Sequence, residues 1–212
     1  MNYSYITVLG TACEEIVISK SHFIGYAASF SDESSAIDFL QTIRNEHKTA
    51  KHHCYAYIIG ENSGIMRYSD DGEPAGTAGL PIMDVLRAKN VVNCCIVVVR
   101  YFGGILLGTG GLVRAYQRCA QETLSSAGLS RMELSTVDYC EVPYSVWDKV
   151  RYTAEHMPVR IEKIEFGSAV VFQLICRTAD RDSVICRLTE ASGRKLCNEK
   201  KDERFLSWDI SE

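Results

Sequence analysis

Most of the marks by which a sequence announces a compartment or a reaction are missing from this chain. No segment approaches about 18 apolar residues without a charge, so no stretch is expected to span a membrane. The opening residues, MNYSYITV, have neither the basic region nor the apolar run of a signal peptide, and a cytoplasmic location is expected. There are nine cysteines but no C-x-x-C pair, and Cys94 and Cys95 sit side by side at the edge of an apolar run. Odd in number and irregularly spaced, they read as reduced thiols serving as small core residues rather than as a disulfide framework. G-x-S-x-G, H-E-x-x-H and any paired cysteine–histidine signature are absent as well.

What is present is ordinary for a folded chain of 212 residues, with 46% hydrophobic and 24% charged content. The net charge of −4 argues against a general nucleic-acid coat while leaving room for a local basic patch. EEIVIS and FIGYAASF, separated by KSH, read as two strands. A helix follows from a Ser31/Asp32 cap, with Ala36, Ile37, Phe39, Leu40 and Ile43 on one stripe. HHCYAYIIG reads as a strand, and LPIMDVLRAKN as a short helix with Pro81 in its first turn. NCCIVVVRYF is the strongest strand and is expected to be buried on both faces. A long helix then places Leu112, Ala115, Tyr116, Cys119, Ala120, Thr123, Leu124 and Ala127 inward and stops at Gly128. Beyond Arg131 the order is βαββαβ, a ferredoxin-like pattern in which Val146, Trp147, Val150 and Ala154 face inward and ERFLSWDI is the last strand. The expected class is α+β, two α/β sandwich domains over 1–130 and 131–212.

Two segments carry the functional question. In RYFGGILLGTGGLVRAYQ, five glycines lie between Gly103 and Gly111, flanked by Arg100 and Arg114. Strand, glycine loop and helix is a layout that holds phosphate in open α/β folds. The nucleotide motifs fail, however: Gly108 is followed by Thr109-Gly110 where a P-loop needs Lys then Ser or Thr, and Val113 stands where a dinucleotide fingerprint wants glycine. The free N–H groups of the first helical turn, with Arg100, Arg114 and Arg118, remain a candidate anion site. The second segment, SDDGEPAGTAG, offers Asp70, Asp71 and Glu73 within four residues. Clustered carboxylates bind cations, accept from arginines or share a proton, but Asp-Gly and Glu-Pro are also routine turn chemistry. His52-His53-Cys54 is not a zinc site on this reading, since neighbours in a strand point to opposite faces. His53 remains a candidate facing a cleft.

HHCYAYIIG, SDDGEPAGTAGLPI and VVVRYFGGILLGTGGLVRAY resemble the signature blocks of the IMPACT family, in particular its bacterial YigZ-like members. The resemblance spans about residues 15 to 127, and 131 to 212 is similar to the small C-terminal domain of bacterial members and to a terminal domain of elongation factor G. Matching positions are His53; Asp70, Asp71, Glu73 and Thr77; and Arg100, Tyr101, Gly103, Gly104, Gly108, Thr109, Gly110, Gly111 and Arg114. His22 in KSHF is a departure, as members often carry Arg there. The resemblance implies a first domain like those of a ribosomal small-subunit protein and elongation factor G, with helices on one face of a sheet. It implies a cytosolic, translation-linked regulator touching RNA, the ribosome or a translation factor. Eukaryotic members restrain a translation-control kinase with help from an RWD domain, and that interaction is not expected to carry over here.

Two function classes follow. In the first, a binding protein uses the glycine loop with Arg100, Arg114 and Arg118 on a phosphate backbone and Tyr101, Phe102 and Tyr116 for stacking. In the second, a small-molecule enzyme acts on a phosphate or carboxylate substrate, with Asp70, Asp71, Glu73 or His53 as catalytic candidates. No metal site and no cofactor are expected for the first class; magnesium is the candidate ion for the second.

Overall fold

The computed structural model describes residues 4–208. The start of MNYSYITV and the last two residues of ERFLSWDI therefore lie outside the described residues. In chain order the elements are Ser4–Val8 (β1), Ala12–Ile18 (β2), Ser21–Ser29 (β3), Glu33–Glu46 (α1), His52–Ile59 (β4), Ile65–Ser69 (β5), Gly79–Ala88 (α2), Cys94–Tyr101 (β6), Gly108–Ala127 (α3), Leu129–Val142 (β7), Tyr144–Glu155 (α4), Val159–Phe166 (β8), Val170–Arg177 (β9), Arg181–Ala191 (α5) and Cys197–Trp208 (β10). The fold is α+β and divides into two compact units, one running up to Met132 and including Trp208, the other from Glu133 to Ser207.

The first unit is built on an antiparallel sheet of order β2-β3-β6-β4-β5. β6 is its centre, and its run of apolar, mostly β-branched residues suits a strand covered on both sides. Cys94, Ile96 and Val98 point into one cluster with Ile82, Met83 and Leu86 of α2 and Ala115, Tyr116 and Cys119 of α3. Cys95, Val97 and Val99 point the other way, into a cluster with Ala36, Leu40 and Ile43 of α1. Helices thus cover both faces, not the single face that the resemblance implied. The connections explain why: α1 carries the chain from β3 to β4 across β6 on one side, and α2 carries it from β5 to β6 across β4 on the other.

Local sequence accounts for the element ends. Asp32 caps α1, its carboxylate accepting from the Ser35 amide at 2.9 Å. α1 buries Ala36, Leu40 and Ile43, but Ile37, placed inward by the sequence pattern, is 42% exposed because it sits at the margin of the stripe. The β2–β3 hairpin turns on Ser19 and Lys20 rather than on KSH; both have positive φ (47° and 65°), the backbone of a two-residue type I′ turn. β1 and β5 were not apparent in the sequence. β1 is tied in by Val92 N–H donating to Ile6 O at 2.9 Å and Leu9 N–H to Gly128 O at 3.0 Å.

In the second unit β10 pairs with β7, β7 with β9 and β9 with β8, the strand order of a ferredoxin-like βαββαβ sheet. Trp147, Val150 and Ala154 of α4 and Val184 and Leu188 of α5 pack on Cys140, Val142, Phe172 and Leu174, with Val146 half-buried at the edge. Asp138, fully buried, is held by the Arg181 guanidinium at 2.6 and 3.0 Å.

Candidate binding site

The acidic segment and the end of β6 meet in space. Arg100 lies in phase with Ile96 and Val98, so its side chain turns to the α2/α3 side of the sheet and only 6% of the residue is exposed. A charge taken from water needs a partner. Glu73 supplies it, accepting from Arg100 Nη1 at 2.7 Å, with both side chains almost fully buried. The same carboxylate oxygen accepts from the Tyr116 hydroxyl at 2.8 Å. The Cys54 thiol lies 3.4 Å from that hydroxyl and 3.0 Å from the Asp70 carbonyl. Burial pushes the Tyr116 hydroxyl and the Cys54 thiol far up from their ordinary values, so neither is a nucleophile at neutral pH.

The other two acids are also engaged internally. Asp70 accepts from the backbone N–H groups of Gly76 (2.8 Å), Ala78 (3.0 Å) and Gly79 (2.8 Å). It thereby caps α2 from outside the helix, where Ala78 at the cap position has no side-chain acceptor to offer. Asp71 accepts from the His53 amide at 2.7 Å and from Arg44 Nη2 at 3.3 Å. His53 is buried, its Nε2 donating to His47 O at 3.2 Å and its Nδ1 3.6 Å from Asp71 Oδ2. Of the four catalytic candidates, Glu73 alone accepts from a side-chain hydroxyl among the described residues, that of Tyr116, which is fully buried and closed to a substrate. Among the described residues, no three His, Cys, Asp or Glu side chains come together as a metal would require.

The glycine segment behaves differently. Gly103 packs against the β2–β3 turn: a Cβ there would fall within 2.4 Å of the Lys20 and Ser21 backbone, and its N–H donates to Ser21 Oγ at 3.1 Å. Gly104 and Gly108 have positive φ (85° and 66°), which lets the loop reverse without strain. Gly108, Thr109 and Gly110 form an exposed first turn of α3, with no side-chain cap from Leu107, and Gly111 is half-buried beside it. The guanidinium of Arg114 folds back over this bare turn, its Nη1 only 3.6 Å from where a Cβ on Gly110 would lie. Arg114 is exposed and has no ion pair among the described residues, whereas Arg118 is paired along the helix with Glu122 at 2.7 Å.

Between Tyr101 and α3 the loop carries apolar side chains outward: Phe102 (56% exposed), Ile105 and Leu106 (87%). The Phe102 ring lies 5.6 Å from Arg100 Cζ, and Phe23 lies 5.5 Å from it. Next to the loop a cavity of about 550 Å³ is lined by Thr49, Lys51, His52, Arg100, Phe102 and Leu106, among others. Tyr101 points to the α1 side, its hydroxyl 2.9 Å from His47 Nδ1. One expectation fails here: Tyr116 is fully buried and cannot stack on a base. Arg100 lies beneath the surface with its Nη1 committed to Glu73. His22, at the position of the departure, pairs with Glu15 at 2.5 Å. The sequence reading missed Lys51 and His52 as lining residues and the outward set of Ile105 and Leu106, although three apolar residues inside a glycine loop were a visible signal.

The comparisons agree with this architecture. Residues 19–124 match the Impact N-terminal domain, and residues 140–194 match a domain of unknown function (DUF1949). The chain is 36% identical to IMPACT family member YvyE of Bacillus subtilis, over 92% of this chain and 90% of that protein. It is 49% identical to IMPACT family member YigZ of Escherichia coli, over 50% of this chain and 52% of that one. A crystal structure of a hypothetical protein superimposes with a TM-score of 0.62 at 30% identity, covering 95% of this chain and 99% of the other. Half the chain in one family model, and 36% identity over nearly the whole length of a member, place it: this chain belongs to the IMPACT family.

Proposed function

We propose that the protein is a translation-linked, cytoplasmic binding protein that contacts RNA of the translation machinery through the loop at 102–107 and the first turn of α3. The observation that carries this reading is the exposed, uncapped turn at Gly108–Gly110 beside a free Arg114, with Phe102 and Leu106 turned to solvent. Bare helix N–H groups and a guanidinium attract phosphate, and an exposed aromatic ring offers a base a surface to stack on. In this reading domain 1–130 is the binding module and domain 131–212 supplies a further contact surface. The enzyme reading has no observation in its favour, since Asp70, Asp71 and Glu73 already serve backbone amides and arginines.

Sedimentation through a sucrose gradient tests the proposal. The protein is expected to travel with ribosomal fractions at low salt and to be released steeply as salt rises, because phosphate contacts displace counterions. Arg114→Ala is expected to release it at lower salt. Protein that stays at the top of the gradient at both low and moderate salt defeats the reading.

A further inference from the structure

The cavity beside the loop has the size and wall of a site for one small ligand. Its volume of about 550 Å³ is within the ~300–1,000 Å³ typical of such sites. Lys51 and Arg100 line it, and among the described residues no Asp or Glu does. Lys51 is exposed and forms no ion pair among the described residues. The ring of His52 is oriented by Nδ1 donating to the Asp71 carbonyl at 2.9 Å. The side chain of Arg100 is 93% buried with Nη1 bound to Glu73, yet its Nε has no hydrogen-bond partner among the described residues. A buried donor without an acceptor is costly and rare in folded proteins. Phe102 turns one face toward this guanidinium and is otherwise more than half exposed.

We infer that this cavity is a nucleotide subsite, taking one nucleoside phosphate with its phosphate toward Lys51 and Arg100 and its base against the outer face of Phe102. Lys51, whose charge no carboxylate of the wall offsets, selects an anion, and a single exposed aromatic ring selects one planar group attached to it. The inference deepens the RNA reading and rests on it where the nucleotide belongs to an RNA chain; a free mononucleotide offers the wall the same chemistry. Phe102 and Lys51 lie at the surface, so replacing them leaves the buried Arg100–Glu73 pair in place.

Isothermal titration calorimetry on the full chain decides it, with nucleoside 5′-monophosphates, the nucleosides, inorganic phosphate, and a ten-nucleotide RNA bearing either a 5′-phosphate or a 5′-hydroxyl. The monophosphates are expected to bind at least about tenfold more tightly than either the nucleosides or phosphate alone. Phe102→Ala and Lys51→Ala are each expected to weaken them by about tenfold, the scale of one lost stacking or charged contact. Preference for the phosphorylated RNA over the hydroxyl form assigns the site to an RNA end. Binding of monophosphates without binding of either RNA keeps the subsite, names a free nucleotide as its source and removes the RNA reading. RNA binding indifferent to Phe102 and Lys51, with no heat from the monophosphates, overturns the subsite and spares the RNA reading. No binding of any probe ends both.

Discussion

The acidic segment at 69–79 and the glycine segment at 102–111 stand on the same end of one sheet, yet they use their residues in opposite ways. The acidic segment holds the residues that look chemical, and each of its carboxylates is turned inward to a backbone amide, an arginine or a tyrosine. The glycine segment holds residues that look inert, and it leaves amides, apolar side chains and one arginine facing water. Charge in a sequence marks where interactions are strong. Whether those interactions are available to a ligand depends on burial, which a single residue type does not reveal.

The sharpest way to break this contrast is to disarm the inward-facing partner. Glu73→Ala leaves the buried Arg100 guanidinium unpaired and is expected to destabilise the fold by about 3–5 kcal/mol. Urea denaturation measures it, and the double replacement Glu73→Leu with Arg100→Met is expected to recover most of the loss. A double variant as unstable as the single one would mean that the pair does more than satisfy itself. Asp70→Ala comes next: three amides lose a charged acceptor, for an expected loss of about 1.5–3 kcal/mol in a thermal melt. Within the glycine segment two alanines divide the roles. Gly103→Ala drives a methyl into the Lys20 backbone and is expected to cost about 1–3 kcal/mol. Gly110→Ala meets nothing nearer than Arg114 and is expected to stabilise by about 0.4–1 kcal/mol while weakening RNA association. Equal effects at the two positions would erase the distinction between packing glycine and binding glycine.

The smallest effect concerns acid. Hydrogen bonds from Ser34 and from the Ser35 amide and hydroxyl hold the Asp32 carboxyl down to about 2, against an ordinary 3.8. A folded-state value below the unfolded one contributes stability that is fully present above pH of about 3.8 and is lost as pH falls through about 2. Asp32→Ala is expected to flatten the acid limb of stability in that window, followed by far-UV circular dichroism at several pH values.

Much of this was legible before any coordinates. α3 announced itself because all eight of its inward residues recur at helical spacing and are the eight that it buries. The centre strand was equally plain in its apolar run. β5, with the sequence IMRYS, was not, since three half-buried and two exposed residues carry neither an apolar run nor a clean alternation. The sequence offers Arg100 as a member of an anion site, while its even register with Ile96 and Val98 points toward the buried α2/α3 face; the alternation is there, and the charge obscures it. The cavity could not be read at all, because it joins residues 49–52 to residues 100–106 through a strand pairing, His52 opposite Arg100, that the text of the sequence does not display.

That pairing has a further consequence for how the molecule breathes. β6 is flanked by strands on both edges and by helices on both faces, so its amides are expected to exchange with solvent only when the whole unit opens. Immediately after Tyr101 the chain leaves this most protected segment and enters an open loop. The protein thus sets an exposed apolar loop directly on its most enclosed strand, so an occupant of that loop would bear on a segment expected to open last.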